Sequence, residues 1–150
     1  MLFCCEIGKT TQIPQFILET RPGVKIVVCQ PRRLAAIGVA SRIAEEMDTS
    51  IGDKVGYMVR GDCKVSKNTT LVFMTYGVML RRLQADPLLD AIDYVIFDEV
   101  HERNLDSDFS LALVMTSLRK RKDLKVILMS ATIATEKFAA FVMLKGTGGN

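Results

Sequence analysis

The chain has 150 residues, of which 49% are hydrophobic and 25% charged, and its formal net charge at pH 7 is +3. This length suits one domain with a sizeable buried core, and this charge permits a polyanionic partner without requiring one. The sequence contains no run of 18 apolar residues, so a membrane span is not expected.

The cysteines point to a reducing compartment. Cys4 and Cys5 are adjacent, which makes them poor candidates for a structural disulfide framework, and Cys29 and Cys63 form no CxxC pair. Because the single histidine is distant in sequence from all four, a zinc site is not expected. The apolar start lacks the basic region and cleavage site of a signal peptide. We therefore expect an intracellular protein, in the nucleus or the cytoplasm.

Helical and strand-like hydrophobic periods alternate along the chain. In chain order they predict a helix at 10–19, a strand at 24–29, a helix at 33–47, a strand at 70–75, a helix at 77–84, a strand at 94–98, a helix at 107–120, a strand at 125–130 and a helix at 136–143. This alternation predicts an α/β fold with a mainly parallel sheet. In such folds ligands bind at the carboxyl ends of the strands, so the residues after each strand are the candidates for function.

The first predicted helix begins at a phosphate-loop fragment, Gly8-Lys9-Thr10-Thr11. Backbone amides at a helix start, the helix dipole and the lysine charge can bind phosphate, and the threonine hydroxyl can hold Mg²⁺. The alternative is an ordinary helix cap with an exposed lysine. The full loop pattern requires glycine where the chain has Phe3. Because so few residues precede the fragment, we expect the first strand of the sheet to be missing.

Two carboxylates follow the predicted strand at 94–98. Asp98 can reach the coordination shell of Mg²⁺, and Glu99 can orient and deprotonate an attacking water. The alternative is a pair of solubilising residues at a sheet edge. His101, the single histidine, lies three residues after Asp98, and this position favours a relay role over that of a surface histidine.

Six motifs together resemble the DEAH-box branch of the superfamily 2 RNA helicases. In chain order they are residues 8–15 (GKTTQIPQ), 30–36 (QPRRLAA), 55–60 (VGYMVR), 75–81 (TYGVMLR), 98–104 (DEVHERN) and 130–132 (SAT). The resemblance covers nearly the whole chain and implies the first motor domain of an ATP-dependent helicase. The implied fold is a three-layer, RecA-like domain of the phosphate-loop NTPase class.

The resemblance also implies roles for individual residues. ATP and Mg²⁺ would be held by Gly8, Lys9, Thr10 and Thr11, with the metal on Thr10 and Asp98, while Glu99, Asp98 and His101 would be catalytic. The backbone of single-stranded RNA would be gripped by Arg32, Arg33, Arg60, Thr75 and Arg81. Coupling of hydrolysis to movement would pass from His101 to Ser130 and Thr132, for which the alternative role is a helix cap.

The sequence departs from the family pattern at its ends. Family helicases close two RecA-like lobes over ATP, and no second lobe follows Thr132, so we expect an incomplete first lobe at 1–144, a disordered tail at 145–150 and no unwinding by these residues alone. Residues 3–7 replace the glycine-rich part of the loop, so we expect weak or absent nucleotide affinity. A fragment or truncated gene model of a longer helicase, which works with protein cofactors, would explain both departures.

Two other functions stay open. A non-catalytic RNA-binding or interaction remnant would bind single-stranded RNA in a salt-dependent manner without responding to nucleotide. A helicase-like DNA motor would bind single-stranded DNA more tightly than RNA. The motifs at 8–15 and 30–36 favour RNA over DNA.

Overall fold

The structure, a computed structural model, describes residues 2–4 and 8–130. Its strands are β1 (Leu2–Cys4), β2 (Ile26–Gln30), β3 (Val55–Val59), β4 (Asp62–Lys64), β5 (Leu71–Thr75), β6 (Tyr94–Phe97) and β7 (Lys125–Met129). Its helices are α1 (Lys9–Thr20), α2 (Arg33–Glu46), α3 (Tyr76–Ala85) and α4 (Leu105–Lys120), with a 3₁₀ turn at Val100–Glu102. Among the described residues, no helix is both long and apolar enough to cross a bilayer.

The strands form one sheet in the order β1-β7-β6-β2-β5-β3-β4. Every neighbouring pair is parallel except β3 and β4, which are antiparallel at the edge. The mainly parallel α/β fold predicted from the alternating periods is therefore confirmed. Because β2, β5 and β6 are parallel neighbours, their carboxyl ends meet at one edge of the sheet, where the candidate site lies.

Helices cover both faces of the sheet. Along β2, Val27 and Cys29 belong to the cluster of buried residues that includes α3 and α4, whereas Ile26 and Val28 belong to the cluster that includes α1 and α2. A strand buried on both faces needs apolar residues at every position, which is why β2 shows no polar alternation. The three-layer architecture is thus confirmed.

The prediction of a missing first strand is wrong. Leu2–Cys4 pairs in parallel with β7, with Leu2 opposite Ile127 and Cys4 opposite Met129. Strand pairing needs only backbone donors and acceptors in register, so three residues at the edge of the sheet suffice.

Two further strands were not predicted as such. Residues 55–59 form β3, and a two-residue turn at Arg60 and Gly61 leads into the short strand β4. Gly61 has a φ of 79°, the left-handed conformation that a tight hairpin turn requires. The other described strands and helices lie within two residues of their predicted bounds at each end. The predicted helix at 136–143, Thr132 and the tail at 145–150 lie outside the described residues.

Candidate functional site

The Asp98 carboxylate lies at the centre of the candidate site. The residue follows β6 directly and is only 5% exposed. Its Oδ2 accepts hydrogen bonds from the Thr10 hydroxyl and the Gln30 side-chain amide, both at 2.7 Å. Its Oδ1 accepts one from the Glu99 backbone amide at 2.9 Å. Three donors therefore fix the direction in which this buried carboxylate points.

Each partner of Asp98 comes from a different element. Thr10 lies in the first turn of α1, and Gln30 ends β2, the parallel neighbour of β6. Tyr76, the first residue of α3, donates its hydroxyl to the Asp98 carbonyl at 2.5 Å and stacks on Phe97 at 5.9 Å between ring centroids. Contacts from the sheet and two helices thus hold both the side chain and the backbone of Asp98.

The start of α1 is suited to binding an anion. Gly8, which caps the helix, has a φ of 89° and no side chain that could satisfy the first-turn amides. Its carbonyl accepts hydrogen bonds from the Thr11 hydroxyl at 3.0 Å and the Gln12 amide at 3.2 Å. The amides at a helix N-terminus carry partial positive charge, and here they lie beside Thr10 and Asp98.

The oxygen atoms of Thr10 and Asp98 fit a magnesium ion. Mg²⁺ prefers hydroxyl, carboxylate and water oxygens at 2.0–2.1 Å in an octahedron, in which adjacent ligands lie about 2.9 Å apart. The Thr10 Oγ1 and Asp98 Oδ2 atoms are 2.7 Å apart, close to that separation. Both residues were predicted as metal ligands from the sequence, and that assignment stays a prediction.

Glu99 and His101 lie side by side in the segment after Asp98. Glu99 has a φ of 53°, and its Oε2 lies 3.2 Å from His101 Nδ1. Burial raises the pKa of the Glu99 carboxyl, and the neighbouring Asp98 charge raises it further, whereas His101 and Arg32 lower it in part. A carboxylate with a raised pKa is a stronger proton acceptor, as a general base requires.

We expect Glu99→Gln to stabilise the protein at pH 7 by less than about 1 kcal/mol, because this side chain is 38% exposed and solvent screens it. A carboxyl whose pKa is raised by folding stabilises the fold below the ordinary glutamate pKa of about 4.3 and loses that contribution as the pH rises through the folded pKa. The gain should therefore vanish below about pH 4. Urea unfolding of both proteins across this range measures it, and an equal gain at acidic and neutral pH would contradict the prediction.

A cavity of about 690 Å³ opens beside this segment. Its lining residues are Pro31, Arg60, Thr75, Tyr76, Gly77, Val78, Arg81, Glu102, Asn104, Leu105 and Asp106. Three of the five residues predicted to bind RNA, Arg60, Thr75 and Arg81, are brought together here from two separate motifs of the chain. Two exposed guanidinium groups with a hydroxyl suit phosphate oxygens.

The other two predicted RNA-binding residues do not line the cavity. Arg32 is next to Pro31 and pairs with Glu102, with 3.1 Å between Arg32 Nη2 and Glu102 Oε1. Arg33 is not among the lining residues, and its guanidinium lies 3.9 Å from Asp62 Oδ2. Arg33 is therefore the predicted RNA-binding residue with the least structural support.

Of the two residues predicted to couple hydrolysis to movement, the structure describes Ser130 but not Thr132. Ser130 follows β7 directly and is 8% exposed, whereas Thr132 lies outside the described residues. The placement of Ser130 at the carboxyl end of β7 puts it at the same edge of the sheet as Asp98.

Three residues of this region lie in the motifs at 30–36, 75–81 and 98–104 but were not predicted as site residues. Gln30 and Tyr76 hold Asp98, and Glu102 pairs with Arg32. A polar residue ending an apolar strand was a usable signal for Gln30, since buried amides require partners. The roles of Tyr76 and Glu102 depend on contacts between distant elements that the sequence does not indicate.

Comparison with known proteins identifies the family of this chain. Residues 7–141 match the sequence profile of the family described as DEAD/DEAH box helicase. The chain belongs to this family. The match includes both the Thr10–Asp98 site and the cavity lined by Arg60, Thr75 and Arg81.

Similar curated proteins include several helicases. The chain is 49% identical over 140 residues to RNA editing associated helicase 2 of Trypanosoma brucei brucei and 47% identical over 140 residues to DExH-box ATP-dependent RNA helicase DExH1 of Arabidopsis thaliana. It is 43% identical over 146 residues to the probable ATP-dependent RNA helicase DHX35 homolog of Caenorhabditis elegans. These alignments cover 89%, 89% and 95% of this chain but 6%, 14% and 20% of the respective relatives.

Proposed function

We propose that this chain forms the nucleotide-binding part of an ATP-dependent RNA helicase, with a weak site for Mg²⁺ and nucleotide next to a site for the backbone of single-stranded RNA. The observation that supports this most is the 2.7 Å contact between Thr10 Oγ1 and Asp98 Oδ2. It joins a hydroxyl at a helix start to a carboxylate 88 residues later, in a chain that belongs to a helicase family.

At the nucleotide site, the phosphates would lie at the start of α1, on Gly8, Lys9, Thr10 and Thr11. Magnesium, when bound to Thr10 and Asp98, neutralises charge on the phosphate oxygens. Gln30 keeps the Asp98 carboxylate oriented, and Glu99 accepts a proton from water, supported by His101. Asp98, Glu99 and His101 thus supply, in one segment after β6, the acidic and basic groups of the proposed hydrolytic site.

At the RNA site, Arg60, Thr75 and Arg81 bind phosphate groups of single-stranded RNA through charge and hydrogen bonds. Such contacts hold the backbone without reading the bases, so this site gives affinity rather than sequence preference. Unwinding also needs a second RecA-like lobe, which closes over the nucleotide and supplies arginines for the transferred phosphoryl group. We therefore expect these 150 residues to bind RNA but not to unwind it.

We expect Arg81→Ala to weaken binding to single-stranded RNA several-fold and to reduce its salt dependence. Each phosphate contact contributes about 0.7 to the slope of log affinity against log salt concentration for single strands, so losing one should lower that slope by about 0.7. Fluorescence anisotropy with a labelled oligouridylate at several salt concentrations measures both quantities.

Arg82→Ala is the matched control, because Arg82 is the next residue on the same helix and does not line the cavity. Both variants remove one positive charge, so a purely general charge effect would weaken RNA binding equally in the two. That outcome would contradict the RNA site. Tighter binding of single-stranded DNA than of RNA would instead favour a DNA motor.

A further inference from the structure

Arg32 and Glu102 form an ion pair between two elements of the proposed RNA site. The Arg32 Nη2 and Glu102 Oε1 atoms are 3.1 Å apart, and the pair is also a hydrogen bond. The Arg32 side chain is 75% exposed, whereas that of Glu102 is 30% exposed. Arg32 follows β2 by two positions and begins the turn into α2, so an exposed guanidinium is held by a carboxylate 70 residues away.

Glu102 lies on the cavity side of the 3₁₀ turn at Val100–Glu102. Its side chain lines the cavity together with Arg60, Thr75 and Arg81. A carboxylate at this place repels a polyanion, which is the opposite of what a phosphate-binding cavity requires. Its two oxygens have the same charge sign and hydrogen-bonding capacity as a phosphate group, and Arg32 binds either of them.

The backbone around Glu102 is anchored on both sides by contacts that do not involve the Arg32–Glu102 ion pair. The Glu102 amide donates to the Glu99 carbonyl at 3.0 Å. Just beyond it, Arg103 pairs with Asp108 at 2.9 Å, and the Asn104 side chain caps α4 through the Ser107 amide at 2.7 Å. A change of partner for Arg32 therefore requires only side-chain rotations, which are fast and cost little free energy.

We propose that Glu102 is an internal competitor for Arg32, which an RNA phosphate must displace before Arg32 can grip the backbone. This inference rests on the proposed RNA site and adds a residue that sets its affinity. The exchange costs little free energy because Arg32 keeps an anionic partner, while the displaced Glu102 carboxylate remains partly exposed to water.

The direct test is the affinity of Glu102→Gln for single-stranded RNA. The substitution keeps the size of the side chain and removes its charge, so Arg32 is released from its ion pair. Exposed ion pairs of this kind correspond to a factor of about two to five in an equilibrium constant. We therefore expect the variant to bind a labelled oligouridylate about two- to fivefold more tightly than the wild type.

Two controls separate competition for Arg32 from a general charge effect. Glu46→Gln breaks the exposed Arg42–Glu46 ion pair on α2, which does not line the cavity, and should leave RNA affinity unchanged. In an Arg32→Ala background, Glu102→Gln should give a clearly smaller gain, because the contested partner is absent and only the general repulsion between the carboxylate and RNA is relieved. An equal gain in the presence and absence of Arg32, or no gain at all, overturns the inference.

The outcomes also distinguish this inference from the proposed function. RNA binding that depends on Arg81 but is identical in wild type and Glu102→Gln overturns only the competitor role of Glu102. If wild type and Glu102→Gln both fail to bind RNA while remaining folded in thermal melts, the RNA site itself is wrong, and the competitor role is overturned with it.

Discussion

The Asp98→Asn variant is expected to lose the magnesium-dependent part of nucleotide binding. The substitution removes the charge that would bind the metal, and it places an amide where Oδ2 accepts from Thr10 and Gln30 or where Oδ1 accepts from Glu99. We expect at least about a tenfold loss of affinity for ADP in Mg²⁺, which corresponds to about 1.4 kcal/mol. Isothermal titration calorimetry with Mg²⁺ and with EDTA measures the loss.

A matched control for this variant lies at the other end of the same strand. Asp93 precedes β6, at the edge of the sheet opposite to the candidate site. Its carboxylate accepts a hydrogen bond from the Lys25 backbone amide at 2.7 Å. Asp93→Asn also replaces a hydrogen-bonded aspartate, and it should leave nucleotide affinity unchanged. Equal losses in the two variants would contradict a specific role for Asp98.

The Gly56→Ala variant is expected to show the largest loss of stability. Gly56 lies in β3 beside β4, and a Cβ there would overlap the Lys64 carbonyl oxygen and approach Val65 and Thr69 side chains. Backbone cannot move aside as a flexible side chain can, so we expect a loss of about 3 kcal/mol or more in the free energy of unfolding. Because β3 leads directly to Arg60, such a shift would also disturb the cavity.

Gly38→Ala provides the comparison. Gly38 lies in α2 with open space where a Cβ would be placed, so alanine there should stabilise the protein by about 0.5–1 kcal/mol by favouring the helix. Urea unfolding of the three proteins measures both changes. Similar stabilities of Gly56→Ala and the wild type would show that the edge hairpin can open to admit a side chain.

The sequence predicted the parts of the fold that depend on local pattern. Apolar runs without polar alternation gave β2 and β6, and the charged residues that follow β6 marked Asp98 and Glu99 as candidates. The edge strands were harder to predict, because three residues in Leu2–Cys4 carry too little periodicity to be recognised. At β3, Gly56 is unfavourable for a strand, although it is the residue that allows β4 to approach.

The residues of the candidate site could be predicted from the sequence, but the contacts between them could not. The phosphate-loop fragment indicated Thr10, and the acidic end of the predicted strand at 94–98 indicated Asp98. The hydrogen bond between them depends on how α1 packs beside β6. Likewise, Arg32 was predicted to bind RNA, but its ion pair with Glu102 joins residues 70 positions apart and follows only from the tertiary fold.

The central claim is that Thr10 and Asp98 form part of a magnesium–nucleotide site. Titration of the purified chain with a fluorescent ADP analogue, in Mg²⁺ and in EDTA, tests it most directly, with Lys9→Ala alongside. We predict weak but saturable binding, with a dissociation constant of about 1 mM or below, that requires Mg²⁺ and is lost in Lys9→Ala. No binding at millimolar nucleotide, or binding that is indifferent to both Mg²⁺ and Lys9, would contradict the claim.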